Sequence, residues 1–276
     1  MPRTHRITQL ELDTALLAED LRQAELFRHN ETYDEFAIGT WRHCTLWNRT
    51  GDLRDSVLET FAGGGVPTEY EQHLPYVSGL VRERFVIERL KFGKFIILGP
   101  GSVLVPHRDY LELDSSFVRI HVPLQTDENC FSSQEDTVYQ MRLGEVWFLD
   151  ASQTHSAASF SGSPRIHLIL DFEAGELQDC LRWPVPAETE QAIPESHIVR
   201  RREPRRGERE AFLALSGVVD EVNYRDVMAM IIKRFYVARI PVRETFAWLR
   251  DIIAASGHEK LLATVTAAEE EFLVRR

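Results

Sequence analysis

The feature that most constrains the fold is a series of short apolar runs spread over residues 36–172. Each run is rich in Val, Ile, Leu or Phe and is bounded by Gly, Pro, Asp or Ser, which interrupt regular structure. Segments this short suit strands better than helices, and their repetition predicts an all-β sandwich or barrel. The runs are FIILG at 95–99, SVLVP at 102–106, FVRIHVPL at 117–124, EVWFL at 145–149 and RIHLILDF at 165–172.

Helical spacing appears on both sides of this region. Residues 13–27 carry leucines near helical spacing after Asp13 and Thr14, which can cap a helix, so we predict one amphipathic helix there. Residues 184–206 are polar, contain prolines and hold the only basic run, which indicates a linker. Helical periodicity then returns over 208–218, 224–237 and 244–255, followed by a last charged helix. The sequence thus predicts a β-rich domain over 1–183, a linker over 184–206 and a helical domain over 207–276.

Composition limits the partners of this chain of 276 residues. Its 43 acidic against 32 basic residues give a formal net charge of −11, and phosphate binding needs a cationic surface instead. No apolar stretch reaches the roughly 18 residues of a membrane span, and residues 1–13 lack the apolar core of a secretory signal. Three separated cysteines, Cys44, Cys130 and Cys180, suit reduced thiols used in packing. We therefore expect a cytoplasmic protein that binds neither nucleic acid nor membrane.

Three residues that can bind a metal follow the predicted strands. His107 and Asp109 are two apart in VPHRD, and alternate residues of an extended chain point to the same side, so both can reach one cation. His155 lies 48 residues later, again just past a strand, and antiparallel strands can return it to the same barrel mouth. Two histidines and one carboxylate form the facial arrangement of non-haem Fe(II) oxygenases, although zinc hydrolases use similar ligands.

Arg165 favours the oxygenase interpretation. It lies ten residues after His155 and is predicted to point inward from its strand. A buried guanidinium beside a metal needs an anionic partner and matches a carboxylate through two hydrogen bonds. 2-Oxoglutarate satisfies both groups, because one end of this dicarboxylate can chelate the metal while the other pairs with the arginine. Two alternatives would not require Arg165: a zinc-dependent hydrolase or isomerase, and a cupin-like protein that binds metal or ligand without turnover.

The same residues carry a resemblance that extends over almost the whole chain. The similar blocks are YDEFAIGTW at 33–41, LPYV at 74–77, VPHRDYLEL at 105–113, RIHVPL at 119–124 and GEVWFLDASQTHSA at 144–157, with EVNYRDVMAM and ETFAWL in the helical region. The chain resembles the Fe(II)/2-oxoglutarate-dependent proline cis-hydroxylases of the aspartyl/asparaginyl β-hydroxylase family. The resemblance implies an α+β fold: a double-stranded β-helix (cupin or jelly-roll) core followed by a small α-helical C-terminal domain. It also implies assembly as a homodimer.

This resemblance also implies the cofactors and the reaction. His107, Asp109 and His155 correspond to the iron ligands at the catalytic centre, and Arg165 corresponds to the anchor for the distal carboxylate of 2-oxoglutarate. Enzymes of this kind use Fe(II), 2-oxoglutarate and O2 to hydroxylate an unactivated C–H bond of a free L-amino acid, releasing succinate and CO2, with ascorbate as an activator in vitro. Related halogenases leave the carboxylate position vacant, so Asp109 favours hydroxylation.

The residues expected at the substrate depart from the family pattern at one place. His121 and Arg119 lie two apart on one predicted strand; the resemblance assigns His121 to the co-substrate, with core packing as the alternative, and Arg119 to a substrate or co-substrate carboxylate. Thirteen residues before His107, where an arginine usually holds the substrate carboxylate, this chain has Lys94, which keeps the charge without the two-bond fork. Ile97 stands where a second arginine is common. L-Proline and L-lysine both remain candidate substrates.

Overall fold

Two antiparallel sheets form the centre of the molecule. The computed structural model describes residues 3–30, 34–109, 117–185 and 189–275, so the similar block at 105–113 is described only to Asp109 and that at 33–41 only from residue 34. The strands are β1 (His5–Gln9), β2 (Ala37–Ile38), β3 (Trp41–Asn48), β4 (Val66–Pro67), β5 (Leu90–Leu98), β6 (Val103–Leu104), β7 (Phe117–Gln125), β8 (Cys130–Gln134), β9 (Thr137–Tyr139), β10 (Glu145–Leu149), β11 (His155–Ser159) and β12 (Arg165–Glu173). The larger sheet has the order β1-β10-β7-β12-β5-β3-β4, and the smaller sheet has the order β2-β6-β11-β8-β9.

The chain alternates between the two sheets from β5 to β12. The strands β5, β7, β10 and β12 lie in the larger sheet, whereas β6, β8, β9 and β11 lie in the smaller one. Strands distant in sequence become neighbours, as in the antiparallel pairs β5 with β12 and β6 with β11. Eight strands wound in this way form the double-stranded β-helix, or jelly roll, so the predicted core is confirmed.

Two helices cover the outer face of the larger sheet. They are α1 (Thr14–Glu25) and α2 (Pro75–Arg84). Asp13 caps α1, because its carboxylate accepts hydrogen bonds from the first backbone amides of the helix. Leu17 of α1 and Val81 of α2 are buried in the core that also contains the outward side chains of the sheet.

Strand β5 shows how one sheet face is assigned to packing and the other to the site. Phe95 and Ile97 belong to the core beneath α1 and α2. Lys94 and Ile96 alternate with them and line a cavity between the two sheets. Of the two positions that depart from the family pattern, Ile97 therefore lies on the sheet face that packs against the helices, and Lys94 lies on the face that lines the cavity.

The helical region covers the smaller sheet. It contains α3 (Glu208–Leu213), α4 (Tyr224–Val237), α5 (Glu244–Ser256) and α6 (Glu259–Glu269), followed by a π-helical turn at Glu270–Arg275. Its apolar core includes Val103 and Ala158 from the smaller sheet. Tyr236 of α4 donates a hydrogen bond to the Ser156 hydroxyl over 2.8 Å. The helices thus support the strands that line the cavity.

The predicted elements agree with the structure, and several others were not predicted. The five predicted apolar runs fall on strands, and all four C-terminal helices are present. The missed elements include β1, β3, β8, β9, β11 and the helix α2. Strand β11 has the sequence HSAAS, whose small residues give no apolar alternation, and it is held by pairing with β8. Its position is therefore a tertiary effect.

The segment predicted as a linker, which the structure describes at 184–185 and 189–206, contacts both the β-rich region and the helical region. His197 Nε2 lies 2.8 Å from Glu145 Oε1 on β10. Arg201 donates to the carbonyl of Phe235 at 2.7 Å, at the C-terminal end of α4. Arg201 of the basic run is therefore used in contacts within the chain. The domain boundaries at 183 and 207 stay a prediction.

The cysteines are buried free thiols, as predicted. Burial raises the pKa of Cys44 and of Cys180 to about 12, so both remain protonated and act as packing residues. Separately, no helix in the described part of the chain is long and apolar enough to cross a membrane.

Candidate functional site

The three metal-binding residues of the sequence analysis meet at one point between the sheets. His107 and His155 pair through their backbones, with amide-to-carbonyl distances of 3.0 and 2.9 Å. His107 Nε2 lies 3.3 Å from Asp109 Oδ1, and His155 Nε2 lies 3.5 Å from Asp109 Oδ2. One ligand atom from each residue falls within 4.8 Å of the other two. The geometry suits a single cation held on one face by two nitrogens and one oxygen.

Both imidazole rings are oriented to present Nε2. His107 Nδ1 lies 2.7 Å from the carbonyl of Val105, and His155 Nδ1 lies 3.0 Å from the carbonyl of Gln153. Because a carbonyl only accepts, each Nδ1 carries the proton and each Nε2 has a free lone pair. Burial, followed by the effect of His155, lowers the pKa of His107, which favours the neutral ring that a metal needs.

Arg119 holds the carboxylate of the triad. Its Nη1 donates to Asp109 Oδ2, its Nε donates to Asp171 Oδ1 at 2.6 Å, and its Nη2 lies 3.2 Å from Asp171 Oδ2. Burial opposes ionisation of Asp109, but Arg119 and His107 overcome it and hold the pKa of that carboxyl well below its ordinary range. An ionised carboxylate is the form that binds iron or zinc, so the donor set of the triad fits either metal.

This environment differs from the one expected for Arg119. The sequence places Arg119 on the inner face of β7, but it does not reveal that Asp171 lies directly opposite on β12. The guanidinium is therefore already engaged by two carboxylates of the chain itself. A role at a substrate or co-substrate carboxylate stays a prediction, and the contacts seen indicate that Arg119 positions Asp109.

A cavity of about 220 Å³ opens beside the triad. Its walls are largely apolar, and most of its polar side chains come from strands of both sheets. The apolar wall includes Trp41, Ile96, Leu104, Met141, Leu149 and Ile169. A small cavity of this kind, with a few convergent polar groups, is typical of a small-molecule site.

Arg165 lines the same cavity and is only 5% exposed. Its Nη2 donates to the Ser132 hydroxyl at 3.0 Å and lies 3.3 Å from His167 Nδ1. No carboxylate pairs with it among the residues that the structure describes, and burial lowers the pKa of its guanidinium. A buried cation without a counter-ion is costly, so this end of the cavity is suited to an anionic ligand.

Tyr139, Ser132 and His167 were not identified from the sequence. The Tyr139 hydroxyl is buried, has no hydrogen-bond partner in the described part of the chain and lines the cavity with Arg165. Burial raises the pKa of Tyr139, so the hydroxyl keeps its proton and can donate to an anion. The sequence signal for Tyr139 and Ser132 is the turn EDT between SSQ and VYQ, which predicts a β-hairpin. This signal does not show that the hairpin faces the cavity.

His121 faces the cavity from β7. Both of its ring nitrogens are buried without a partner among the described residues, and its ring lies 5.8 Å from that of His167. Burial, followed by Arg119 and Arg165, lowers the pKa of His121 well below its ordinary value. A neutral imidazole with both nitrogens available can accept or donate one hydrogen bond to a ligand. Its assignment to the co-substrate stays a prediction.

Lys94 lies on the opposite side of the cavity from the smaller sheet. It is 8% exposed, and its Nζ lies 5.1 Å from the centroid of the Phe92 ring. Burial and the Lys94 charge lower the pKa of His43 to about 3, as expected for a neutral histidine next to a buried ammonium. The structure therefore brings Lys94 into the cavity with the triad and Arg165, as an additional cationic group.

Comparisons with known proteins cover nearly all of the chain. The family model described as aspartyl/asparaginyl beta-hydroxylase matches residues 6–174, and the one described as L-proline 3-hydroxylase, C-terminal, matches residues 184–276. The L-proline cis-4-hydroxylase of Rhizobium meliloti (strain 1021) is 33% identical over 274 residues, which covers 99% of this chain and 96% of that protein. The L-proline cis-3-hydroxylase 1 of a Streptomyces species is 35% identical over 266 residues, which covers 94% of this chain and 91% of that protein.

Proposed function

We infer that this chain, which belongs to the aspartyl/asparaginyl β-hydroxylase family, is an Fe(II)- and 2-oxoglutarate-dependent dioxygenase that hydroxylates a free L-amino acid. The reaction replaces an unactivated C–H bond by C–OH and releases succinate and CO2. The observation that carries the proposal is Arg165, buried in the cavity of the metal triad without a carboxylate partner in the described residues. A dicarboxylate that reaches from the metal to Arg165 supplies the absent negative charge.

The residues of the triad would hold the metal. When bound by His107, Asp109 and His155, Fe(II) supplies the chemistry that activates O2 and couples oxidation of the substrate to decarboxylation of 2-oxoglutarate. Arg119 keeps the Asp109 carboxylate ionised and oriented for this purpose. At the other end, Arg165 pairs with the distal carboxylate of 2-oxoglutarate.

Three further residues complete the co-substrate site. The Tyr139 hydroxyl donates to the distal carboxylate of 2-oxoglutarate, and Ser132 keeps the Arg165 guanidinium in place. His121 contributes a neutral ring nitrogen to the co-substrate closer to the metal. Because the walls of the cavity are mostly apolar, they exclude water and orient the carbon that reacts.

The substrate belongs to the class of small free amino acids. The relatives at 33–35% identity are named for L-proline. Lys94 offers one buried positive charge to the substrate carboxylate. An ammonium binds a carboxylate as a point charge without a fixed fork, so the pocket can accept a different placement of the amino acid. L-Proline and L-lysine are the two candidate substrates that an assay must distinguish.

The test is succinate release from a panel of free amino acids with Fe(II), 2-oxoglutarate and ascorbate. Release stimulated by L-proline or by L-lysine supports the proposal and identifies the substrate. Ascorbate is expected to raise the number of turnovers, which a parallel series without it measures. The proposal fails if no amino acid stimulates succinate release by a protein that contains stoichiometric iron.

A zinc-dependent hydrolase or isomerase is the second candidate, since the same donor set binds zinc. It predicts activity with Zn²⁺ and no requirement for 2-oxoglutarate. A cupin-like protein that only binds a ligand predicts no turnover with either metal. Parallel assays with each metal, with and without 2-oxoglutarate, distinguish the three.

We also place the protein in the cytoplasm, a proposal supported by its buried free thiols. Fractionation of cells that express the protein tests this location. A homodimer is the proposed assembly, and light scattering coupled to size-exclusion chromatography measures it.

A further inference from the structure

The C-terminal turn Glu270–Arg275 lies against the metal motif. The carbonyl of Phe272 accepts a hydrogen bond from the amide of Arg108 at 3.0 Å, and Arg108 is the residue between the two ligands of the H-x-D motif. The Phe272 ring lies 4.9 Å from that of Phe36, which in turn lies 4.5 Å from the ring of His107. The turn is therefore fixed beside the triad by its backbone and by aromatic packing.

Glu271, next to Phe272 in this turn, is exposed to solvent and belongs to the lining of the cavity. Among the cavity-lining residues that the structure describes, the acidic side chains are Asp109 and Glu271. Asp109 belongs to the group that would hold the metal and is bound by Arg119. Glu271 is thus the acidic group at the cavity that the metal centre does not use.

The cationic groups of the cavity leave one part of an amino-acid substrate without a counterpart. Arg165 is assigned to 2-oxoglutarate, and Lys94 to the substrate carboxylate. An amino acid also carries an ammonium group, and removing an ammonium from water requires a carboxylate or several hydrogen-bond acceptors. Glu271 places a carboxylate in the lining of the cavity.

We propose that Glu271 binds the α-ammonium group of the substrate and thereby selects α-amino acids over carboxylic acids that lack this group. The inference rests on the proposed function, because it assumes an amino-acid substrate. It assigns a role in specificity to the helical region, which reaches the site through the turn after α6. Glu271 is a substrate-binding residue in this proposal and takes no part in holding the metal.

Binding without turnover tests the proposal. The Fe(II) protein is kept anaerobic with saturating 2-oxoglutarate, and calorimetry measures the Kd of L-proline and of cyclopentanecarboxylate, which has the same ring size and no amine. L-Lysine and 6-aminohexanoate, which lacks the α-amine, form the second pair. The variant is Glu271→Gln, which keeps the side-chain size, and the matched control is Glu270→Gln, an exposed neighbour outside the cavity lining.

We expect Glu271→Gln to raise the Kd of the amino acid at least tenfold and to leave the Kd of its analogue without the α-amine and of 2-oxoglutarate unchanged. Glu270→Gln should change none of the three, and Glu271→Asp should restore part of the affinity. Unchanged amino-acid binding by Glu271→Gln overturns the inference alone, and so does an equal loss for both members of a pair. If the wild-type protein binds no amino acid at all, the proposed function fails and the inference fails with it.

Discussion

The two ends of the cavity each contain a buried arginine, and their surroundings are opposite. Arg119 is bound by two carboxylates of the chain, Asp171 and Asp109. Arg165 has a hydroxyl and an imidazole beside it and no carboxylate within the described residues. A buried guanidinium is unfavourable without an anion. The charge of Arg119 is therefore balanced by the chain itself, whereas the charge of Arg165 is to be balanced by a ligand.

This difference separates positioning from binding. Substitutions at the Arg119 end should affect the metal centre and the stability of the fold, whereas substitutions at the Arg165 end should affect co-substrate affinity. The predictions below test that separation.

The largest effect is expected at Asp109, the proposed metal ligand that Arg119 contacts. Asp109→Ala removes one of the ligand groups and leaves Arg119 paired with Asp171 alone. We expect no detectable succinate release and a loss of bound iron, measured by product assay and metal analysis. Arg108→Ala is the control, because its side chain is not among the ligands, and it should retain iron. Full activity of Asp109→Ala would exclude this triad.

The next largest effect is expected in co-substrate affinity, at the Arg165 end of the cavity. Arg165→Ala should weaken 2-oxoglutarate binding by on the order of 100-fold, because truncating one partner of a buried charge pair costs about 2–5 kcal/mol. Iron content should stay at the wild-type level. Arg165→Lys should be intermediate, since it keeps the charge without the fork. Calorimetry on the iron-loaded anaerobic protein measures the Kd, and a wild-type value for Arg165→Ala would falsify the assignment.

A substitution at the Arg119 end should lower the free energy of unfolding. Asp171 is fully buried, and Asp171→Asn leaves the Arg119 charge with Asp109 only. We expect a loss of about 3–5 kcal/mol in the free energy of unfolding, the usual consequence of breaking a buried pair. Chemical denaturation measures it. Glu203→Gln, which breaks an exposed pair with Arg239, should cost less than about 1 kcal/mol. Equal effects would contradict the contrast between buried and exposed pairs.

The smallest effect belongs to the unpartnered hydroxyl. Tyr139→Phe removes one hydrogen bond to 2-oxoglutarate and should raise its Kd by about fivefold, equivalent to about 1 kcal/mol. The free energy of unfolding without ligand should not fall, because the hydroxyl has no partner among the described residues. If the free energy of unfolding falls while the Kd of 2-oxoglutarate is unchanged, the Tyr139 hydroxyl has a structural role and does not bind the co-substrate.

Sequence reasoning was effective where spacing along one strand or one motif decides the geometry. His107 and Asp109 are two apart, and the strands around 95–99 and 165–172 show clear apolar patterns. The position of Arg165 on the inner face follows from the same periodicity. The fold class was implied by the resemblance and is confirmed by the strand order.

It was less effective where partners come from different strands. Asp171 faces Arg119 only because β12 and β7 pair in a particular register, and the sequence does not state that register. Tyr139 reaches Arg165 through the β8–β9 hairpin, and Glu271 approaches the triad from the far end of the chain. Such contacts are long-range, so they follow from the whole topology and not from any local pattern.

The hydrogen bond between the Arg108 amide and the Phe272 carbonyl also has a consequence for biosynthesis. The two residues are separated by more than half of the chain. A ribosome that has already released the metal motif must still add all of the helical region before this bond can form. During translation the strands of the β core are therefore synthesised before the turn that carries Glu271 and Phe272, and the lining of the cavity is completed last.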